Sequence, residues 1–237
     1  LGDTFEDFHP LKGPMTTQSL RGMAGAGSMH WRGDRTAGND PGGDVNDEDG
    51  AFKKFNVAFP GLIGRESELP ADEMQAFTDF ILGVTYPPNP IRRLNNTFTN
   101  RQQQGHDLYF GRVTDALFNC NGCHTLDPAN GFFGTDGAGT FEGETQMFKV
   151  AHLRNAYQKV GMFRAAGANL PAPQIRGFGF LHDGSVDSIF RFLSAGVFSL
   201  TNTEQRQLED FVLAYDSNLA PVVGQQVTLH AGNATTA

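Results

Sequence analysis

Cys120-Asn121-Gly122-Cys123-His124 places two thiols three positions apart, with an imidazole directly after the second. Residue types in that order suit one piece of chemistry. Each sulfur adds to a vinyl group of a protoporphyrin, and the histidine is left beneath the iron as an axial ligand. These are the only 2 cysteines among 237 residues, so a four-sulfur zinc site has no second pair. A redox dithiol of the thioredoxin kind wants a βαβ frame and has no use for a histidine at that place. The motif therefore assigns covalent haem c to Cys120 and Cys123, with His124 as the metal ligand.

The sixth iron position has several candidates by distance along the chain: Met147, Met162, His152, His182 and His106. Met162 lies in Lys159-Val160-Gly161-Met162-Phe163, a loop-like setting from which a thioether can reach in. Methionine ligation raises the potential and closes the iron to peroxide. Met162 is the expected ligand and His182 the alternative. The competing roles are gap-filling core residue for Met162 and capping beside Asp183 for His182. Arg154 and Arg176 carry guanidinium forks that match haem propionates, against the commoner fate of an arginine, which is solvation. Tyr157, Phe148, Phe163 and Phe178 are candidate pocket walls, and His9, His106 and His230 read as surface residues.

Composition sets bounds on what surrounds this motif. Net charge is −8 at pH 7 and no basic block offsets it, which argues against nucleic acid as a partner. Mean hydropathy is −0.35, and no window approaches the roughly 18 to 20 apolar residues of a transmembrane segment. With 29 glycines and 21 phenylalanines, the chain suits a loop-rich shell around a flat apolar cofactor that supplies part of the core. Haem c is attached outside the bacterial cytoplasm. The expected location is periplasmic or extracellular, with an export signal expected ahead of residue 1. The acidic, glycine-rich stretch 33–50 fails the calcium-loop template, because Val45 falls where an oxygen ligand is needed; calcium stays conceivable but unsupported, and a solvated loop is the better reading.

The elements that must position the motif are helical. The patterns predict helices over 17–24, 70–83, 101–117, 148–158 and 186–193. A further helix follows Thr201, whose capping box pairs it with Glu204. Asp183 or Ser185 is the expected cap of the 186–193 helix, and Tyr86-Pro87-Pro88-Asn89-Pro90 reads as a stiff connector. Residues 222–229 read as strand-like or extended. The class is mostly α with long loops.

Three stretches recur in the same order. Leu69 to Leu82 aligns with Leu200 to Leu213, Leu20-Arg21-Gly22 with Leu153-Arg154-Asn155, and Met29 to Asp34 with Phe180 to Ser185. The chain therefore divides into residues 1–90, a first cytochrome c-like half without its own C-x-x-C-H, and residues 91–237, the haem c domain. By the repeat, the first half's haem motif would precede residue 1, Met29 and His30 would lie near its haem, and a second haem c is an open expectation.

The order C-x-x-C-H, then Phe148 to Asn155, then His182-Asp183-Gly184-Ser185, resembles the bacterial di-haem cytochrome c peroxidase superfamily. His30-Trp31-Arg32-Gly33-Asp34-Arg35 is similar to that family's Trp-Asp-Gly-Arg element, and His9 to Leu20 to a stretch of related di-haem cytochromes. The resemblance spans roughly residues 5–215. It implies two α-helical cytochrome c-like haem lobes, with redox partner proteins or neighbouring haem modules as partners. Two departures matter. Where the family places a methionine ligand, the corresponding place in this chain is near Gly196, and a glycine cannot bind iron. Where its peroxidases place acid–base side chains, Ala51 to Pro60 is apolar and basic. The expected function is electron transfer, with a di-haem peroxidase-like enzyme as the alternative and a role as one module of a larger multihaem protein compatible with the first.

Overall fold

Apolar residues with helical spacing come in short runs separated by glycine and proline, so each helix can cover only a small core of its own. The computed structural model describes residues 13–31, 33, 44–140, 148–161 and 177–221. In chain order these form α1 (Glu48–Lys53), α2 (Ala58–Gly61), α3 (Ala71–Leu82), α4 (Asn100–Phe110), α5 (Cys120–Cys123), β1 (Leu126–Asp127), β2 (Phe132–Phe133), α6 (Ile189–Leu193) and α7 (Asn202–Leu213). β1 and β2 pair antiparallel, Leu126 opposite Phe133. The class is mostly helical with few strands. Among the described residues no helix is long and apolar enough to cross a membrane.

Among the described residues two separate apolar cores form. Met29, Ala51, Phe52, Met74 and Ile81 make the first, which packs α1 on α3. Tyr109, Phe133, Ile189, Leu193, Leu208, Phe211, Val212 and Tyr215 are members of the second, where α4 crosses α7. Gly105 permits that crossing: a Cβ there would overlap the Gln207 carbonyl. Both crossing helices begin with a capping box, Thr99 with Gln102 and Thr201 with Glu204, so two otherwise orphaned N–H groups at each start are satisfied locally.

The proline-rich connector is fastened rather than loose. Asn89 Nδ2 donates to the carbonyls of Leu213 and Tyr215 at 2.9 and 3.0 Å, and Arg92 donates to Ala214 at 3.0 Å. These are the carbonyls that the end of α7 leaves without helical partners.

Several predicted elements take other forms. Residues 17–24 form no helix: 17–19 are irregular and turns follow at 21–22 and 24–25, with Gly22 and Gly25 at φ 63° and 70°. The 101–117 helix stops at Phe110, where Gly111 turns away at ψ −104°. Of its expected stripe Tyr109 is buried, but Val113 and Leu117 are 52% and 59% exposed. The 148–158 segment is extended up to Leu153, because its backbone pairs with 133–140: Val150 N–H donates to Ala138 at 2.9 Å and Leu153 N–H to Phe133 at 3.0 Å. A short 3-10 turn, Ala156–Gln158, follows. α6 begins only at Ile189, capped by Ser188 rather than Asp183 or Ser185, since Phe180 and Val186 are held in a bridge. Residues 222–229, expected to be extended, lie outside the described residues, as does most of the 33–50 loop. Of that loop, Asp47 caps α1 through Gly50 N–H at 2.9 Å.

The same turn is used twice. His30 and Leu181 are non-glycine residues with positive φ (59° and 65°), and each accepts from the glycine three positions on, Gly33 or Gly184. The aligned pair Gly22 and Asn155 also matches, at φ 63° and 66°. α3 and α7, both of 12 residues, occupy the third aligned stretch.

Candidate haem site

α5 is a single turn, and its own first residues explain it. Asn119 caps it by accepting from Gly122 N–H at 2.9 Å, and His124 N–H returns to the Cys120 carbonyl at 2.8 Å. One turn of helix sets Cys120 and Cys123 on the same side. Neither cysteine is in a disulfide. Thr114 Oγ1 lies 3.7 Å from Cys120 Sγ, and burial pushes the Cys120 thiol up from its ordinary value. A redox-active dithiol needs the opposite shift.

His124 is oriented by backbone alone. Its Nδ1–H donates to the carbonyls of Gly134 at 2.8 Å and Ala151 at 3.0 Å. Two acceptors on one nitrogen fix the tautomer, so the lone pair resides on Nε2. Nε2 has no hydrogen-bond partner among the described residues. Burial lowers the His124 pKa, keeping the ring neutral, which is the form that ligates a metal. Behind the ring, Tyr109 Oη donates to the His124 carbonyl and sits 2.9 Å from Tyr215 Oη.

Each acceptor has its own reason to be there. Gly134 follows β2 at φ 97°, and a Cβ on it would stand 2.7 Å from Leu153 N. Its N–H donates to Thr125 at 2.7 Å, which closes the loop beneath the ring. Ala151 is carried in by the extended 148–153 segment. Neither has a side chain that sequence reasoning could have singled out; the glycine-rich run after the motif was the available hint for Gly134.

The donor set fits haem c: two cysteines on one helical turn, and a neutral imidazole whose remaining nitrogen is the one suited to iron. Other expected site residues are placed as follows. Arg154 is fully buried and its fork is engaged, Nη2 on the Gly22 carbonyl at 2.6 Å and Nη1 on Asn218 at 3.1 Å; its Nε has no hydrogen-bond partner among the described residues. Tyr157 is half-buried and accepts from Gln158 at 3.4 Å. His182 stacks on Phe148 at 4.3 Å. His152 Nε2 lies 3.4 Å from Tyr86 Oη, and His106 packs among Phe98, Phe110 and Phe211 on α4. Met162, Arg176 and Met147 lie outside the described residues. Lys149 and Lys159, which the sequence did not single out, flank Ala151 and Arg154.

A solved structure shares this fold. Hydrazine synthase from Kuenenia stuttgartiensis, pressurized with 20 bar xenon, aligns with a TM-score of 0.55 over 84% of this chain and 72% of that one, at 14% identity. No protein-family description and no curated protein matches the sequence. At that identity the likeness concerns architecture.

Proposed function

We propose that the chain is a c-type cytochrome that passes electrons through haem c bound covalently at Cys120 and Cys123. The observation that carries this reading is His124, which directly follows the second cysteine and has Nδ1 held by Gly134 and Ala151, leaving Nε2 as the nitrogen available to a metal. When bound, haem c supplies a one-electron couple. The protein's part is to fix the ring's rotation and tautomer, so that the ligand does not reorganise between oxidation states. Met162 is the proposed sixth ligand, with His182 as the alternative.

The two cores and the repeated turn favour two cytochrome c-like lobes, divided near the Tyr86–Pro90 connector, with a second haem c as part of the proposal. Periplasmic or extracellular location follows from where haem c is attached, and the partners proposed are redox proteins or neighbouring haem modules.

The test is intact mass together with the visible spectrum of the protein produced in a host that attaches haem c. Haem that survives acidified acetone, and is lost in Cys120→Ser/Cys123→Ser, supports the proposal; a colourless protein ends it. A low-spin spectrum that becomes open to added ligands in Met162→Ala assigns the sixth ligand. A high-spin ferric spectrum with peroxide turnover would instead favour the peroxidase-like enzyme.

A further inference from the structure

Where the connector meets the end of α7, the chain leaves a cleft of about 130 Å³. Asn89, Arg92 and Asn96 line it from the connector side, and Tyr215, Asp216 and Ser217 from the residues that follow α7. Most polar groups in these walls are already answered. Asn89 Nδ2 serves the carbonyls of Leu213 and Tyr215, and its Oδ1 accepts from Ile91 N–H at 2.9 Å. Ser217 Oγ lies 3.0 and 3.1 Å from the carbonyl oxygens of Pro87 and Leu219.

Arg92 is the exception. Its side chain is only 8% exposed. Nη1 donates to the Ala214 carbonyl at 3.0 Å and pairs with Asp216 at 2.9 Å, and Phe98 lies against one face of the guanidinium at 4.2 Å. Nε is buried without a hydrogen-bond partner among the described residues, and Nη2 has none there either. Those two nitrogens form one edge of the fork, the kind of edge from which a carboxylate accepts with both oxygens. A buried N–H is costly to leave unmet. One water has a single oxygen to set against this parallel pair, and its share of volume is roughly 30 Å³, a fraction of the cleft. Asn96 adds further donors: its exposed side-chain amide makes no hydrogen bond among the described residues.

We infer that this cleft is a binding site for a small monocarboxylate, held by Arg92 through Nε and Nη2 and met by the Asn96 amide. Asp216 does not pre-empt it, because a guanidinium has five donors and Asp216 takes the Nη1 branch. Size sets the class: a cavity of about 150 Å³ admits benzene, so the cleft suits an anion of acetate size with few carbons beyond it. The site uses none of the residues assigned to haem, and it stands or falls without that assignment.

The experiment is calorimetric titration of the full chain with acetate, and separately with its neutral isostere acetamide, in a carboxylate-free buffer at neutral pH. Wild type is compared with Arg92→Lys, which keeps the charge and loses the fork, and with Asn96→Asp, which sets a second negative charge in the cleft. Asn96 is exposed and sits at φ 59°, a conformation that aspartate also adopts. Asn96→Asp therefore keeps the fold even if Arg92→Lys, deprived of its bond to Ala214, does not. The expected result is one saturable acetate site, no heat from acetamide, and binding about ten-fold weaker in each variant. Absence of acetate binding overturns the inference, as does acetamide binding as tight as acetate. Wild-type affinity in Asn96→Asp overturns it too, by placing the bound acetate elsewhere.

Discussion

His30 and Leu181 adopt the same left-handed backbone conformation, φ 59° and 65°, and each carbonyl accepts from a glycine three residues on, at 3.3 and 3.4 Å. A side chain at such a position is strained by about 1–2 kcal/mol. Leu181 is 42% exposed, so it has little packing to lose. Leu181→Gly is expected to stabilise the fold by about 1 kcal/mol in urea unfolding. Gly184→Ala should do the reverse by about 3 kcal/mol, because φ is 72° and the added methyl would overlap the Phe178 carbonyl. Equal stability of both variants would show that the turn is not held as described.

The α4–α7 crossing leaves no room at Gly105. Gly105→Ala drives a methyl into the Gln207 carbonyl and is expected to cost about 3 kcal/mol, with a lower urea midpoint. Because α4 carries Tyr109 to the back of His124, the same variant should also perturb the spectrum of the haem proposed there. A normal spectrum in a destabilised protein would disconnect the crossing from the site.

Tyr109 and Tyr215 share one hydroxyl network with the His124 carbonyl. Burial, then Tyr215, raise the Tyr109 phenol far above its usual range, so it stays a neutral donor. Tyr109→Phe should destabilise by about 1–2 kcal/mol. Tyr109→Phe/Tyr215→Phe should cost less than the two single changes added together, since a half-broken network leaves one hydroxyl unsatisfied. Strict additivity in a double-mutant cycle would argue that the hydroxyls act independently.

Glu204 gives a pH dependence whose sign is fixed. The Thr201 N–H, then Arg112, hold its carboxyl down to about 2. A carboxylate whose folded pKa lies below its unfolded value, about 4.3, stabilises the fold fully above that value. Its contribution is lost as pH falls through about 2. Glu204→Gln should therefore be less stable than wild type at about pH 6, with the gap closing toward about pH 2. A gap that widens on acidification would contradict the assignment.

What could be read in advance was short-range. α3 and α7 declared themselves because a helix needs only its own apolar period, and α7 also showed a Thr-x-x-Glu start. The helix predicted through Leu117 failed at Gly111, where the chain leaves for the Asn119-capped turn. The helix predicted over 148–158 failed because pairing with 133–140 offered its backbone better partners than its own turns did.

By itself, the order of five residues from Cys120 to His124 carried the chemistry proposed for this protein, since the proposed thioether attachment and proximal ligation depend on neighbours in the chain. Tertiary structure alone decided how the imidazole is held. The acceptors on Nδ1 are main-chain carbonyls of Gly134 and Ala151, and a carbonyl is identical in every residue. No letter in the sequence marks the one that folding will bring within 3 Å.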